Sequence, residues 1–113
     1  MKNFYKSVVS ILLVAPIYAS AAVDLVTNGS FEADFQDNGS WNLYSTLIGW
    51  SGAPDIELRN NVAGSAFDGS NFVELDTNSN SSISQLLIGT PGLYQLSFWF
   101  SARPGTGSDT NDL

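Results

Sequence analysis

The chain has 113 residues, with 11 carboxylates against 4 basic residues and a formal net charge of −7. Nucleic-acid binding depends on cationic side chains that neutralise phosphates, so this balance excludes nucleic acid as an expected partner. The sequence contains no cysteine and no histidine, which excludes disulfides, thiolate chemistry, His-based metal sites and the usual Ser-His-Asp arrangement.

Residues 1–22 are predicted to be a cleaved signal peptide. Two lysines precede an apolar run over residues 8–18, and small residues end the segment, which is the pattern that a signal peptidase reads. A membrane anchor is the competing interpretation, but about 20 apolar residues are needed to cross a bilayer, and Pro16 interrupts this shorter run. We therefore expect a secreted or cell-surface protein with one domain over residues 23–113 and no membrane span after signal removal.

The rest of the sequence has the pattern of short strands between turns. Asn, Gly, Asp and Pro recur at short intervals, and there is no long apolar stripe with a 3.6-residue period. The strand-like stretches, in chain order, are residues 23–27, 43–48, 55–59, 72–76, 82–88 and 94–101. This pattern predicts an all-β fold built as an antiparallel sandwich or barrel, of which we favour the β-sandwich.

The most regular alternation of apolar and polar residues lies in residues 94–101. The side predicted to face the core consists of Tyr94, Leu96, Phe98 and Phe100. Because successive side chains of a strand point to opposite faces, this pattern is typical of a half-buried strand. The same rule predicts that Ile56 and Leu58 point inward from the stretch 55–59.

The sequence ends at Leu113, in a polar stretch shortly after residues 94–101. An exposed edge strand with nothing following it would be prone to aggregation. The sequence therefore predicts a missing partner strand, and hence a fragment of a longer gene product with an incomplete sandwich. The alternative is a naturally short chain in which the last strand lies in the middle of a sheet.

Carboxylates stand two residues apart on two predicted strands, as Asp55 with Glu57 and Glu74 with Asp76. This spacing places each pair on one strand face, with about 7 Å between Cα atoms. Glycosidases also use two carboxylates, but theirs flank a scissile bond and one has a raised pKa. Nothing in the sequence indicates such a cleft, so we predict no catalytic residues and favour a solvated strand face.

A second interpretation of the same region is carbohydrate binding. The candidate residues for a polar surface that hydrogen-bonds sugar hydroxyls are Glu57, Arg59, Asn60, Glu74 and Asp76. Arginine suits this role because its planar guanidinium offers several donors.

The aromatic candidates for sugar stacking are Trp41, Trp50 and Trp99. Trp50 follows Gly49 and is expected in the core, because tryptophans bury large areas in small domains. Trp99 points away from the apolar side of residues 94–101. It either packs under a second sheet or forms a platform on which a sugar ring stacks.

Several stretches together resemble one known family: LVTNGSFE at 25–32, the Gly49-Trp50 pair, IELRNNVAG at 56–64, DGSNFVELD at 68–76, SSISQ at 81–85 and YQLSFWFSARPG at 94–105. Their order and spacing resemble bacterial exported galactose-binding-like, jelly-roll domains. Members of that family often carry a sorting tail and are related in pattern to noncatalytic carbohydrate-binding modules. The resemblance implies closing strands and a sorting tail beyond residue 113.

The resemblance also implies a structural calcium near the first strand, with Glu32 and nearby backbone oxygens as ligands. A calcium ion takes six to eight oxygens, and part of that set is expected from the last strand. The alternative is that Asn28 and Gly29 form a tight turn while Glu32 points into solvent.

The expected function is that of a noncatalytic extracellular module that binds carbohydrate, with polysaccharide or glycan of the cell surface or matrix as partner. Two alternatives stay open. One is a structural or adhesive surface protein that mediates protein contacts, and the other is a detached accessory domain of a secreted hydrolase.

Overall fold

The structure, a computed structural model, describes residues 22–76 and 78–105. Its strands are β1 (Ser40–Leu47), β2 (Trp50–Asn60), β3 (Asn71–Glu74) and β4 (Ser82–Ser84). The described residues contain no helix, and therefore none that could cross a membrane. The all-β prediction is confirmed, and the predicted signal peptide lies outside the described residues except for Ala22.

The four strands form one open antiparallel sheet around β2. Strand β1 pairs with β2 along one edge, from Ser40 opposite Asn60 to Leu47 opposite Trp50. Strands β3 and β4 share the other edge, where β3 pairs with residues 57–60 and β4 with residues 51–53. Strand β2 is thus the only one of the four with partners on both sides.

The hydrophobic core lies on one face of this sheet. Leu47, Ile56 and Leu58 are buried, and Ile56 and Leu58 expose 0% of their surface. The partly buried side chains packed against them are Phe31, Tyr44, Trp50, Val73 and Ile83. The inward orientation predicted for Ile56 and Leu58 is confirmed, as is the placement of Trp50 at the core.

The loop before β1 is fastened to this core by polar contacts. Asn28 has a φ of 53°, and its carbonyl accepts hydrogen bonds from the Phe31 amide at 3.1 Å and from Trp50 Nε1 at 3.0 Å. The tight turn predicted as the alternative at Asn28 and Gly29 is therefore present. Residues 22–26, which include most of the predicted first strand, form no strand.

Strand β2 is buried on both faces near its end, contrary to the solvated face predicted from its carboxylates. Glu57 and Arg59 each expose only 5% of their surface, although they point away from Ile56 and Leu58. The cross-strand pairing explains this burial, because Leu43 lies opposite Glu57 and Trp41 lies opposite Arg59. Large side chains on β1 therefore shield the charged positions of β2.

The predicted strand at residues 94–101 is absent from the structure. This stretch contains no strand and joins no ladder among the described residues. Its apolar side is exposed, with 77% of Leu96 and 66% of Phe98 open to solvent. The prediction was wrong because alternation describes a strand that has a partner, and no partner lies beside this one in the described chain.

Candidate functional site

A cluster of ion pairs lies on the face of the sheet opposite the core. The β2–β3 register sets Glu57 directly opposite Glu74, a pairing in which two carboxylates repel each other. Arg59 Nη2 resolves the repulsion because it contacts both Glu57 Oε1 and Glu74 Oε2. Arg103 Nη1 donates to the other oxygen of Glu74 at 3.0 Å. Two arginines thus neutralise two carboxylates that the sheet forces together.

Burial is the largest influence on the pKa of Glu57 in this cluster. Desolvation raises the pKa of Glu57 above the ordinary glutamate range, the charge of Glu74 raises it further, and Arg59 opposes both effects. The Nε of Arg59 is buried and has no hydrogen-bond partner among the described residues. An unpaired buried donor is costly, so this atom lowers the net stability that the cluster contributes.

Glu57, Arg59 and Arg103 of this cluster line a cleft of about 370 Å³. Its lining consists of Trp41, Leu43, Glu57, Arg59, Val62, Ala63, Asn78 and Arg103. Trp41 is half exposed, and its ring centroid lies 6.0 Å from Cζ of Arg59. The cleft therefore combines an aromatic wall with hydrogen-bonding groups of both signs.

The residues predicted to bind carbohydrate do not all lie in one place in the structure. Glu57, Arg59 and Glu74 meet in the ion-pair cluster. Asn60 is separate, because its Nδ2 donates to the Gln36 carbonyl at 3.0 Å. Asp76 is exposed, does not line the cleft, and forms an isolated bridge with Asn80.

Trp99 also lies apart from the cleft. It is 74% exposed and stacks on Phe67 with ring centroids 3.7 Å apart. Of the two roles left open for Trp99, packing under a second sheet is not seen in the described residues. Its role as a sugar platform stays a prediction.

Sequence reasoning named Trp41 as one of three tryptophans that could stack on a sugar, but it did not single out Asn78 or Arg103 for this cleft. Trp41 reaches it through the β1–β2 register, and Arg103 reaches Glu74 across 29 positions of sequence. One signal was present, because Arg59 and Arg103 are the only basic residues after the predicted signal peptide. Because the chain has 11 carboxylates, ion pairs at both arginines could be expected from the sequence.

Glu32, the predicted calcium ligand, has a structural role. Its Oε1 accepts hydrogen bonds from the amides of Ser70 at 2.7 Å and Asn71 at 2.6 Å. Gly69 has a φ of +72°, and a Cβ there would collide with the Glu32 carboxylate. Glu32 therefore fixes the loop that leads into β3.

Calcium binding at Glu32 stays a prediction from the resemblance. No group of three or more acidic, His or Cys side chains able to hold a metal occurs among residues 22–76 and 78–105. Asp34, the next carboxylate after Glu32, accepts hydrogen bonds from the Ile48 amide and from Asn28 Nδ2. The six to eight oxygens of a calcium site are expected from backbone carbonyls and a later strand as well as from Glu32.

Comparison of the chain with protein-family models, with curated proteins and with solved structures finds no match. The resemblance to galactose-binding-like domains therefore stays a prediction from the sequence motifs.

Proposed function

We propose that this protein is a noncatalytic, exported carbohydrate-binding module of the β-sandwich, galactose-binding-like type, and that its binding site is the cleft between Trp41 and the ion-pair cluster. The observation that carries the proposal is the position of the half-exposed Trp41 ring beside Arg59 and Glu57. Polysaccharide of the cell surface or matrix is the proposed partner.

The chemistry of the cleft suits a sugar ring. An aromatic side chain covers the apolar face of a pyranose, while polar groups at its edge bind the hydroxyls. Glu57 supplies acceptors and Arg103 supplies donors at the wall of the cleft. The cleft volume of about 370 Å³ falls within the range of about 300–1,000 Å³ for small-molecule sites.

The net negative charge of the protein disfavours anionic polysaccharides as ligands. The net charge of −7 repels anionic chains, and both carboxylates of the cluster are already neutralised by arginine. A neutral polysaccharide is therefore the proposed ligand class. A noncatalytic role is proposed because Glu57 and Glu74 both contact Arg59 Nη2, whereas the two carboxyls of a glycosidase flank the scissile bond.

Affinity electrophoresis through gels that contain neutral polysaccharides tests the proposal. Trp41→Ala removes the stacking wall and is expected to weaken retention at least about tenfold, a loss of about 1.4 kcal/mol. Phe35→Ala is the matched control, because Phe35 is an exposed aromatic residue that does not line the cleft. Its retention should equal that of the unsubstituted chain.

Trp99→Ala provides a second arm of the same experiment. If the cleft is the site, this variant keeps its retention. Unchanged retention of Trp41→Ala, or loss of retention only with Trp99→Ala, would contradict the assignment of the site to the cleft.

A second candidate function, a structural or adhesive protein that acts through protein contacts, is favoured by one separate observation. Large apolar residues remain exposed between residues 86 and 100, and exposed apolar patches of this kind mark interaction sites.

A further inference from the structure

The sequence contains two Asn-Gly pairs, at residues 28–29 and 38–39, and such pairs are chemically labile. The backbone nitrogen of the glycine can attack the side-chain amide carbon of the asparagine, because glycine has no Cβ to obstruct the approach. A bond forms between this nitrogen and carbon, the carbon–nitrogen bond of the side-chain amide breaks, and ammonia leaves. Water then opens the cyclic imide at either carbonyl, which gives aspartate or isoaspartate.

The sequence around the reacting groups is the same at both positions. Each pair is followed by serine, so the tripeptide Asn-Gly-Ser occurs at residues 28–30 and again at residues 38–40. The asparagine side chain must rotate until its amide carbon faces the next backbone nitrogen. Hydrogen bonds that hold the side chain or that nitrogen oppose this rotation. A difference in rate between the two pairs in the folded protein therefore comes from the structure.

The side chain of Asn28 is held at both of its polar atoms. Its Nδ2 donates to Asp34 Oδ2 at 2.8 Å and to the Ile48 carbonyl at 3.0 Å, and its Oδ1 accepts from the Ala33 amide at 3.0 Å. The Asn28 carbonyl also accepts from Trp50 Nε1, which ties this turn to the core. Ring closure at Asn28 would break all of the side-chain bonds, including the one to a carboxylate, which is the stronger kind.

The side chain of Asn38 is held less firmly. It is exposed, and among the described residues its single hydrogen bond is the one that Oδ1 accepts from Asn61 Nδ2 at 2.8 Å. Asn61 is exposed as well. A Cβ added at Gly39 would meet nothing within 4 Å, so no group from elsewhere in the fold crowds this turn.

One backbone hydrogen bond opposes the reaction at Asn38. The Gly39 nitrogen, which must attack, donates to the Asn60 carbonyl at 2.8 Å. This bond lies next to the pair of Ser40 and Asn60, where the β1–β2 ladder ends. Ends of secondary structure open at lower free energy than the core of a fold. Fraying of this end therefore frees the nitrogen without global unfolding.

We propose that Asn38 is a modification site at which the folded protein deamidates, whereas the fold protects Asn28. Conversion of Asn38 introduces a negative charge into the turn before β1. Isoaspartate also lengthens the main chain beside the bond from Gly39 to Asn60. The altered turn contacts Asn61, which directly precedes the cleft residue Val62.

Peptide mapping by mass spectrometry of the full chain tests the proposal. The protein is incubated in mildly alkaline buffer, which promotes deprotonation of the attacking nitrogen, and is then cleaved after glutamate. Cleavage at Glu32 places Asn28 and Asn38 on different peptides, so the change of mass from amide to carboxyl is read separately for each. Asn38 should convert at least about tenfold faster than Asn28, a ratio that corresponds to about 1.4 kcal/mol.

The chain denatured in guanidinium chloride is the first control, because the two identical tripeptides should then convert at similar rates. Two variants each change one position. Asn61→Ala removes the hydrogen bond to Asn38 and should speed conversion at Asn38 alone. Asp34→Ala removes an acceptor of Asn28 Nδ2 and should speed conversion at Asn28 alone.

Two results would overturn the proposal. The first is conversion of Asn28 as fast as that of Asn38 in the folded protein. The second is an Asn38 that stays intact over the time in which the denatured chain converts fully, because the bond from Gly39 to Asn60 would then protect it.

Discussion

Strand β2 and the segment 94–101 both alternate apolar with polar residues, yet their surroundings differ completely. Strand β2 has β1 on one side and β3 and β4 on the other, and its residues 56–59 are all buried. The segment 94–101 also alternates, apart from Trp99, and joins no ladder within the described residues. Alternation thus indicates that a segment can form a half-buried strand, whereas hydrogen-bonded neighbours decide whether it does.

The polar positions of the two regions differ as well. On β2 they are Glu57 and Arg59, which neutralise each other and make contacts that need a fixed register. In the segment 94–101 the corresponding positions are Gln95, Ser97, Trp99 and Ser101, none of which is charged. Charge pairing therefore specifies the neighbours of β2, and nothing comparable specifies a neighbour for the later segment within the described chain.

The largest expected difference in the free energy of unfolding is between substitutions of the two arginines that contact Glu74. Arg59→Ala leaves Glu57 and Glu74 facing each other in a buried site, and loss of one partner from a buried ion pair costs about 3–5 kcal/mol. Arg103→Ala removes a partly exposed ion pair and should cost at most about 1 kcal/mol. Urea denaturation followed by circular dichroism measures both changes.

Equal effects of the two arginine substitutions would contradict the distinction between the buried and the exposed part of the cluster. Arg59→Met distinguishes the loss of the positive charge from the loss of side-chain packing. It keeps the apolar stem of the side chain and removes the charge, so it should be as destabilising as Arg59→Ala if the uncompensated carboxylates account for the loss.

Two leucine substitutions compare the paired and the unpaired strand directly. Leu58→Ala opens a cavity beneath the sheet, and such a change costs about 2–5 kcal/mol. Leu96→Ala removes an exposed side chain and should change the free energy of unfolding by no more than about 0.5 kcal/mol when measured on dilute protein. A cost for Leu96→Ala similar to that for Leu58→Ala would place residues 94–101 in the core and break the comparison.

The smallest expected effect is the pH dependence contributed by Glu57. Burial raises the pKa of this carboxyl in the folded state, so the folded chain binds a proton more tightly than the unfolded chain. The stability that Glu57 contributes is therefore fully present below its unfolded pKa and is lost as the pH rises through its folded pKa.

Glu57→Gln removes this titration while it preserves the shape of the side chain. Relative to the unsubstituted chain, the variant should gain stability as the pH rises from about 4 to about 7. Denaturation across that range provides the measurement. A relative loss of stability over the same interval would mean that Arg59 outweighs desolvation at Glu57.

The sequence was sufficient for the local parts of this fold. The all-β class follows from the turn residues and the strand periods, and the burial of Ile56 and Leu58 follows from the alternation on β2. The tight turn at Asn28 follows from the preference of Asn and Gly for positive φ. Each of these features depends on residues that are close together in the chain.

The parts that sequence reasoning missed depend on which strands become neighbours. Glu57 is buried because Leu43 and Glu74 lie opposite it on two different strands. Trp41 joins the cleft through the same β1–β2 register. Pairing registers are set by non-local packing and turn geometry, so neither the burial of Glu57 nor the role of Trp41 could be read from residues 55–59 alone.

Amide hydrogen exchange on dilute protein tests the central contrast most directly, because it reports backbone protection residue by residue. Amides of β2 at residues 56–59 should exchange only through global unfolding, while amides of residues 94–101 should exchange near the rate of an unstructured peptide. Protection of residues 94–101 equal to that of β2 in dilute monomer would contradict the account, since it would show that the segment is already a paired strand of the same fold.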